Sequence, residues 1–510
     1  DFIRDICSEV SVSSEDRTRH GTGHALSDVM RIRYGQSIRI PDVVVWPSST
    51  GEIESLVCLA ARQQWCLIPY GGGTSVSGAV CCPSRETESR PIVSVDTRRL
   101  NKVIDIDYEN CLAHVEAGIT GLELMKELRS HGFTVGHEPD SLEFSTLGGW
   151  IATKASGMKR NKYGNIEDIV TGVHVAGADG VMKHGHWGRE SCGLDLTALM
   201  LGSEGCLGII VSAVVRIHEL PQTTDYDALL LPDLETGIRL IKDIARIDGG
   251  SPASCRLLDN EHFRLGQALQ SEHNSIFKQL KEQVLSLVLS EYSNFSNAVV
   301  CLAIGYEGTS GEVKRQKRSI RSLARVFGAV SLGSYAGKAS YEMTFMIAYL
   351  RDFALSYQIA GESFETFAPW SELSSIIQGT KERINVEHFN RSLPGKPFIG
   401  CRVTQIYSDG VCLYFYLCIS LNGINEDDGG DVFSTLENAA RNEILERGGS
   451  LSHHHGVGKI RKQFLPKIHS SSTQRAFRAV KQALDPCNIF GAQNGSFANP
   501  QSFRALESHD

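Results

Sequence analysis

Three loops rich in glycine and other small residues lie within residues 69–210, and they constrain the fold of this chain more than any other feature. The loops are PYGGGTSVSG (69–78), GHEPDSLEFSTLGGWIATKASG (136–157) and LGSEGCLGII (201–210). Glycine permits close backbone approach and positive φ, so successive N–H groups in such loops can converge on phosphate oxygens. The first loop alone is equally compatible with a tight turn, since it matches neither G-x-G-x-x-G nor a P-loop. Together the loops favour a large cofactor that carries phosphate.

The second loop also carries hydroxyl groups that could donate hydrogen bonds to such a ligand. These hydroxyls belong to Ser145, Thr146, Thr153 and Ser156.

The elements around the loops predict an α+β protein. The run DVVVWP predicts a strand, and GEIESLVCLAARQQ predicts a helix with Ile53, Leu56, Val57 and Ala60 on its apolar face. Residues 168–217 predict further strands. After LPQT (220–223) the pattern changes to longer helices, at 311–327 and 342–359, between strands such as GVCLYFYLCISLNG. Helices packed on a mainly antiparallel sheet predict a second, α+β domain.

Size and composition limit the class of protein. At 510 residues the chain is too long for one compact core, and a formal net charge of −8 argues against a general nucleic-acid binder. The 14 cysteines lack C-x-x-C pairs and often lie in apolar runs, so we expect free thiols and a reducing, intracellular setting. No apolar run approaches the roughly 20 residues of a membrane span. The chain begins at Asp1, so we expect an upstream targeting segment to be missing from this sequence.

Polar side chains inside apolar runs of the second domain have two interpretations each. Tyr414 and Tyr416 share one face of a predicted strand, as ordinary core residues or as phenols that face a cavity. Arg256 and Arg351 lie among apolar neighbours. Such arginines are often simply paired, and Asp352 or Glu362 could pair with Arg351. The functional interpretation is a guanidinium that binds a carboxylate or a phosphate.

The histidine run at 453–455 follows a predicted helix that ends at Gly448 and Gly449. A metal site, a tag remnant and a proton-handling cluster are the three interpretations. The run is internal, and no Asp, Glu or Cys has zinc-like spacing beside it, so the metal and tag interpretations are the weaker ones. In an extended segment, His453 and His455 would share one side and His454 would face the other.

Several motifs together resemble known flavoproteins. The loops, with LDPCNIFG (484–491), are similar to flavoproteins of the vanillyl-alcohol-oxidase type. The motifs SCRLLDN, AYLRDFAL, GESFETFAPW, CRVTQIY, YFY and GGSLSHHHGVGKIRKQ resemble the alkyldihydroxyacetonephosphate synthase family over residues 38–491. The resemblance implies a two-part FAD-binding domain of the vanillyl-alcohol-oxidase (PCMH) type and an α+β substrate or cap domain with an antiparallel sheet. We expect an N-terminal segment (1–37), an FAD-binding domain (38–220), a cap domain (221–449) and a C-terminal segment that returns to the FAD domain (450–510).

The resemblance also implies an activity in ether-lipid biosynthesis. The reaction would exchange the acyl chain of acyl-dihydroxyacetone phosphate for a fatty alcohol, releasing a fatty acid. It would run through a covalent adduct of flavin N5 with C1 of the substrate, without net redox change. The resemblance further implies a homodimer in peroxisomes or glycosomes. We expect peripheral membrane association and no nucleic-acid partner.

Site residues follow from the resemblance by position. Tyr414 would be the proton donor or acceptor, Arg351 would bind substrate, and Arg256 and His137 would be needed for activity. His453, His454 and His455 would lie at the active site, with no metal. The expected FAD contacts are Pro69, Tyr70, Gly71, Gly72, Gly73, Thr74, Ser75, Asp140, Ser141, Leu142, Glu143, Phe144, Ser145, Thr146, Thr153, Lys154, Ala155, Ser156, Glu204, Gly205, Cys206, Leu207, Gly208, Ile209 and Ile210.

Two positions depart from the family pattern, and two alternative functions stay open. Cys206 stands where threonine is common, and Tyr70 stands where relatives often have an aliphatic residue. The glycine loop has no histidine of the kind that binds flavin covalently, so we expect non-covalent FAD. The alternatives are an FAD-dependent 2-hydroxyacid dehydrogenase or oxidase, and a non-enzymatic metal-binding module built on the histidine run.

Overall fold

The chain divides into two compact units. The structure is a computed structural model that describes residues 2–183, 188–247, 251–269 and 299–498. The first unit comprises Asp1–Gly157, Tyr163–Leu220 and His454–Asp510, and the second comprises Met158–Lys162 and Pro221–His453. The sequence did not anticipate that the short segment Met158–Lys162 groups with the second unit. A second histidine-containing segment, HGH (184–186), lies outside the described residues.

The strands of the described residues are numbered in chain order. They are β1 Val10–Ser11, β2 Val43–Val45, β3 Cys66–Tyr70, β4 Ile92–Asp96, β5 Val103–Asp107, β6 Leu112–Glu116, β7 Phe133–Thr134, β8 Val170–Gly177, β9 Gly180–Lys183, β10 Ile209–Arg216, β11 His218–Glu219, β12 Thr223–Leu231, β13 Ser254–Leu258, β14 Val300–Gly308, β15 Val330–Ser331, β16 Ile359–Pro369, β17 Phe398–Ile406 and β18 Gly410–Ser420.

The α-helices are numbered in the same way. They are α1 Ser14–His20, α2 Leu26–Arg33, α3 Thr50–Gln63, α4 Gly121–Ser130, α5 Leu147–Thr153, α6 Arg160–Tyr163, α7 Ile166–Ile169, α8 Leu196–Met200, α9 Leu234–Ile244, α10 Asn260–Leu269, α11 Ser310–Val326, α12 Gly333–Leu355, α13 Leu373–Asn390, α14 Gly429–Glu446, α15 Leu465–Ile468 and α16 Ser471–Leu484. Short 3-10 turns occur at Thr97–Arg99, Lys462–Phe464 and Gly495–Phe497.

The first unit contains a four-stranded, a five-stranded and a two-stranded sheet. The four-stranded sheet has the order β1-β2-β4-β3, and β4 runs parallel to both β2 and β3. The five-stranded sheet has the order β5-β6-β10-β8-β9 and is antiparallel throughout. Helix α3 contributes its predicted apolar face to a core shared with the four-stranded sheet, and its N-cap Ser49 accepts a hydrogen bond from the Glu52 N–H.

The second unit is built on a seven-stranded antiparallel sheet, as the α+β prediction required. Its order is β15-β12-β14-β13-β17-β18-β16. The strand predicted from the run GVCLYFYLCISLNG is β18, which pairs with β16 along its whole length. The helix predicted at 342–359 is wrong at both ends, because α12 begins at Gly333 and ends at Leu355.

Two composition-based predictions concern the whole chain. All 14 cysteines lie within the described residues and are free thiols, so the expected absence of a disulfide framework is confirmed. Within the described residues, no helix combines the length and the apolar character that crossing a membrane requires.

Candidate functional site

The first glycine loop follows strand β3 and contains consecutive backbone amides that donate no hydrogen bond within the part of the chain that the structure describes. Among the described residues, the N–H groups of Gly72, Gly73, Thr74 and Ser75 donate no hydrogen bond. Gly73 adopts φ +70°, which a side chain rarely permits. A Cβ atom on Gly72 would lie 1.9 Å from the carbonyl oxygen of Phe144, so the first two loops pack directly on each other. Consecutive unpaired N–H groups make this loop a suitable cradle for phosphate.

Three of the four predicted hydroxyl donors already donate within the protein, which corrects their expected role. Ser145 donates to the Ser141 carbonyl at 2.9 Å, and Ser156 donates to Asn165 Oδ1 at 2.7 Å. The Thr153 hydroxyl donates to the Gly149 carbonyl at 2.9 Å, and Thr146 is the N-cap of α5. Since each hydroxyl has one proton, Ser145, Thr153 and Ser156 have no donor left for a cofactor. Contacts from these residues would have to come from backbone or acceptor atoms.

Other expected cofactor residues also direct their side chains into the first unit. The Tyr70 hydroxyl donates to the Arg19 carbonyl at 3.2 Å, and its ring lies 4.4 Å from His20 between centroids. Burial raises the pKa of Tyr70 to about 12, so its phenol stays protonated. Leu207, Ile209 and Ile210 are buried in the apolar cores of the first unit. Any contact from these three residues to FAD would therefore use the backbone.

The other residues expected to contact FAD lie in the turn before α5, at the end of α5, and beside Gly205. Asp140, Ser141, Leu142, Glu143 and Phe144 form a turn before α5. Lys154 ends α5 in the left-handed conformation with φ +55°, and Ala155 is buried beyond it. Pro69 lies next to Gly205, on which a Cβ atom would be 3.2 Å from the proline ring. Contact between these residues and FAD stays a prediction.

Glu204, in the third loop, holds the segment that follows the histidine run. Its carboxylate accepts hydrogen bonds from the N–H groups of Val457 at 3.0 Å and Gly458 at 2.9 Å. Asn494 donates to the Glu204 carbonyl at 2.8 Å. Cys206 is buried beside Glu204, and its own carbonyl accepts a 2.8 Å hydrogen bond from Lys481. The carboxylate of Glu204 thus positions protein backbone, a role that the resemblance did not suggest.

His137 is a buried imidazole without a hydrogen-bond partner. Its side chain is 0% exposed, and neither ring nitrogen has a partner among the described residues. The ring lies 4.8 Å from the Trp150 ring between centroids. Burial lowers the pKa of His137 to about 3, so the imidazole is neutral near pH 7. A buried polar group of this kind costs free energy unless a bound group satisfies it.

These features of the first unit fit FAD. The open amides of the glycine loop suit the pyrophosphate, and the unsatisfied nitrogens of His137 suit a polar ring system with donors and acceptors.

In the second unit, one face of the seven-stranded sheet collects buried polar side chains. We call Arg256, Glu365, Arg402, Tyr414 and Tyr416 the phenol face. Tyr414 on β18 pairs directly with Glu365 on β16 and with Arg402 on β17. The alternation predicted for β18 is confirmed, since Cys412, Tyr414 and Tyr416 form one cluster while Phe415 stacks on Phe364. Both phenols are nearly fully buried.

Arg402 brings a positive charge to both phenols. Its guanidinium carbon lies 5.1 Å from the ring centroids of Tyr414 and of Tyr416. His262 contacts the Tyr416 ring edge-on at 4.6 Å between centroids. Burial first, and then the charges of Arg402 and Arg256, lower the pKa of His262 to about 3. Because His262 stays neutral, the arginines supply the positive charge on this face.

The two arginines singled out from the sequence have protein partners. Arg256 is buried, its guanidinium lies 4.8 Å from the Tyr341 ring centroid, and it contacts the Met158 sulfur at 3.6 Å. Arg351 bonds to Glu362 at 3.4 Å and lies 3.7 Å from Asp352. The pairing anticipated for Arg351 is therefore confirmed, and its role in binding substrate stays a prediction.

The histidine run is bent, so the expected alternation of its side chains is wrong. His454 and His455 contact each other edge-on, with centroids 4.8 Å apart. The unit boundary falls inside the run, with His453 in the second unit. His453 Nε2 shares a 2.7 Å hydrogen bond with the hydroxyl of Tyr407, whose ring lies 4.0 Å from the Arg160 guanidinium. Tyr407 thus fixes the orientation of the first imidazole.

Sequence reasoning missed four residues of the second unit that surround these groups. Arg402 and Glu365 are charged residues inside apolar strand segments, GCRVTQ and SFETF. That is the same signal that singled out Arg256, so both could have been found. Tyr407 and His262 lie outside such runs, and no feature of the sequence distinguishes them from the other tyrosines and histidines of the chain.

Comparisons with known proteins identify the family to which the chain is similar. Residues 41–185 match the family model "FAD binding domain", and residues 220–494 match "FAD linked oxidases, C-terminal domain". Alkyldihydroxyacetonephosphate synthase of Caenorhabditis elegans is 40% identical over 96% of this chain and 81% of that protein. Glycolate oxidase subunit GlcD of Bacillus subtilis is 26% identical, over 88% of each chain.

A solved structure of alkyldihydroxyacetonephosphate synthase is similar to the whole fold. It superposes with a TM-score of 0.80 at 30% identity, over 94% of this chain and 82% of that one. FAD is the cofactor that both family models describe, and the cradle of the first unit fits it. The chain belongs to the alkyldihydroxyacetonephosphate synthase family.

Proposed function

We propose that this chain exchanges the acyl chain of acyl-dihydroxyacetone phosphate for a long-chain fatty alcohol. The products are the alkyl ether of dihydroxyacetone phosphate and a fatty acid, and the pathway is ether-lipid biosynthesis. The observation that carries the proposal is the similarity to a synthase over nearly the whole chain.

The first unit binds FAD in this proposal. The loops at 69–75, 140–146, 153–156 and 204–210 would hold it, largely through backbone atoms. Bound FAD supplies a nucleophilic centre, so the exchange involves no net oxidation or reduction. No covalent link to the protein is expected, so denaturation should release the yellow chromophore into solution.

The second unit supplies the proton-transfer groups. Exchange at C1, beside a ketone, needs a base that removes a proton and later returns it. Tyr414 is our candidate, because its ring lies beside the Arg402 guanidinium, which stabilises negative charge on the phenol. His453, held by Tyr407, is the candidate for passing protons onward.

Arginines recognise the charged ends of the substrates in this scheme. The phosphate of acyl-dihydroxyacetone phosphate and the departing carboxylate both suit guanidinium groups, which bind oxyanions through paired N–H donors. Arg351 and Arg256 are the candidates. Arg351 would exchange its 3.4 Å bond with Glu362 for a substrate oxygen.

The test is a labelled-product assay with purified, flavin-loaded protein. Acyl-dihydroxyacetone phosphate and radiolabelled hexadecanol are supplied, and the lipid product is separated after mild alkaline hydrolysis, which spares ethers. The proposal predicts labelled, alkali-stable ether lipid. Protein that holds flavin and forms none would refute it.

The alternative is an FAD-dependent 2-hydroxyacid dehydrogenase or oxidase. The similarity to GlcD supports this alternative. Lactate and glycolate would then bleach the oxidised flavin absorbance in the absence of an acceptor. We expect no such bleaching.

The cellular setting forms a separate part of the proposal. The long acyl and alkyl chains call for access from a membrane surface, so we propose peripheral membrane association. Sedimentation with phosphatidylcholine vesicles tests it. Resemblance to the family supports a homodimer, which light scattering would measure, and a peroxisomal or glycosomal location, which immunofluorescence against an organelle marker would check.

A further inference from the structure

We propose that Glu365 is a positioning residue for the exchange reaction, which fixes His453 and borders Tyr414 without touching substrate. This inference rests on the proposed function. It adds a residue that neither the sequence nor the family resemblance singled out.

The carboxylate of Glu365 binds the start of the histidine run. Oε1 accepts a 2.7 Å hydrogen bond from the Ser452 hydroxyl, and Oε2 accepts a 2.5 Å hydrogen bond from the His453 N–H. The side chain is 0% exposed. Hydrogen bonds to a carboxylate are roughly twice as strong as neutral ones, and burial excludes competing water. Glu365 therefore fixes the backbone from which the His453 imidazole reaches Tyr407.

Further hydrogen bonds fix the segment before His453 to strand β16 and to helix α14. Ser450 exchanges hydrogen bonds with the backbone of Phe367 on β16, at 2.9 and 2.8 Å. Arg441, which is paired with Glu437, donates to the Leu451 carbonyl at 2.7 Å. Each of residues 450–453 is thus held by a hydrogen bond, and Glu365 accepts the bonds from Ser452 and His453. The final bond is the one made by a histidine.

Glu365 is also the cross-strand partner of Tyr414. Glu365 and Tyr414 are paired across β16 and β18, and cross-strand partners hold their Cβ atoms about 4.5–5.5 Å apart. Arg402 pairs with Tyr414 on the other side. Glu365 and Arg402 thus flank Tyr414 with opposite charges, and Glu365 also holds His453. One side chain therefore links the two groups to which the proposed function assigns proton transfer.

The experiment compares Glu365→Gln and Glu365→Ala with the wild type and with Glu443→Gln. Glutamine keeps the shape and one acceptor, and the Ser452 hydroxyl can turn to accept from its amide. Alanine removes both bonds. Glu443→Gln is the matched control, because it removes a carboxylate bonded to Arg447 at 2.6 Å on the outer part of α14. Each protein is assayed for kcat, KM, flavin content and hydrogen exchange of residues 450–456.

Positioning predicts a loss in kcat with little change in KM. Misplacement of a reacting group by about 1 Å costs on the order of 100-fold in rate, so Glu365→Ala should lose about that factor. Glu365→Gln should lose on the order of 10-fold, and in both variants KM stays within about twofold. Flavin content stays at the wild-type level. Hydrogen exchange at 450–456 is faster in Glu365→Ala and unchanged in Glu443→Gln.

A second mutation shows whether Glu365 and Tyr414 act on one step. The double variant Glu365→Gln with Tyr414→Phe should lose little more activity than Tyr414→Phe alone, because residues that act as a unit are not additive. Fully multiplicative losses, wild-type kcat in both Glu365 variants, or a loss that merely tracks flavin content would overturn the inference.

The inference can fail separately from the proposed function. Wild-type protein that forms no ether lipid refutes the proposed function. In that case unchanged exchange at 450–456 in Glu365→Ala would also refute the positioning role, while faster exchange would leave Glu365 as the anchor of His453 alone and remove its catalytic part.

Discussion

At the scale of single residues, Tyr414 concentrates the chemistry proposed for the second unit. Tyr414 is 5% exposed, and its partners on the two neighbouring strands are Glu365 and Arg402. A general acid or base contributes about 100- to 10,000-fold to a rate, so Tyr414→Phe should lower kcat by at least about 100-fold. Its flavin spectrum and thermal unfolding should match those of the wild type. Near-normal turnover in this variant would show that Tyr414 is only a core residue.

His137 gives a pH prediction at the same scale. Its pKa is about 3 in the folded chain and near 6.5 when exposed, because burial disfavours the charged form. Below pH 6.5 the unfolded chain binds a proton that the folded chain does not. This residue therefore removes stability as pH falls from 6.5 towards 3, by up to about 1.4 kcal/mol per pH unit.

The measurement for His137 is urea unfolding of wild type and His137→Gln at several pH values. Both proteins are flavin-loaded. We expect the free energy of unfolding to fall more steeply in the wild type between pH 6.5 and 4, so that the difference between the two proteins changes with pH. Parallel curves would mean that His137 titrates normally in the folded state.

The sequence indicated which polar side chains are buried in the second unit, but it did not indicate their partners. Arg256 and Tyr414 were found because a polar side chain inside an apolar strand is conspicuous. The hydroxyls of Ser145 and Ser156 were misread, because a sequence shows donors without showing which acceptors lie nearby. Glu204 was expected at the cofactor, yet its carboxylate binds backbone more than 250 residues away in sequence. Such long-range pairing leaves no local signal.

At the scale of elements, the glycine loop depends on its contact with the second loop. A Cβ atom at position 72 would meet the Phe144 carbonyl at 1.9 Å, and neither backbone can move without shifting a strand or α5. Gly72→Ala should therefore lose most of its bound flavin. Overpacking lowers the free energy of unfolding by on the order of 1–3 kcal/mol, so this variant should also unfold at a lower temperature. Flavin absorbance per mole of protein and thermal unfolding measure both effects.

Gly51→Ala is the control for Gly72→Ala. Gly51 lies in the first turn of α3 in the same unit, and a Cβ there would approach only the Ser49 hydroxyl, at 4.0 Å. Alanine should leave flavin content unchanged and add a few tenths of a kcal/mol to stability. Equal losses in both variants would show that the loop contact is not specific.

The periodicity of apolar residues predicted whether an element is a helix or a strand. The end of an element could be predicted only where the sequence contains a stop signal such as glycine. Strand β18 and helix α3 were predicted because their apolar positions repeat at two residues and at three to four residues. Helix α14 ends just before Gly448, which has φ +85°. Helix α12 and strand β16 are separated by Ser356–Gln358, with no glycine or proline between them. The predicted helix therefore ran into the strand.

At the scale of the whole molecule, the chain folds into two units, and the segments of these units alternate along the sequence. Met158–Lys162 belongs to the second unit although the first unit surrounds it in sequence. Lys159 explains this grouping, because it pairs with Glu307 on β14 at 2.7 Å, and Arg160 donates to the Ile406 carbonyl at 2.9 Å. Composition could indicate a change near residue 220, but it could not reveal a five-residue excursion.

The central claim is that the reaction is a redox-neutral exchange rather than an oxidation. The most direct measurement is anaerobic turnover of the flavin-loaded protein with acyl-dihydroxyacetone phosphate and labelled hexadecanol, without any electron acceptor. The account predicts many equivalents of ether lipid per flavin, with fatty acid released in equal amount and the flavin oxidised at the end. A reaction that stops after one equivalent with reduced flavin, or that forms no ether, would contradict it.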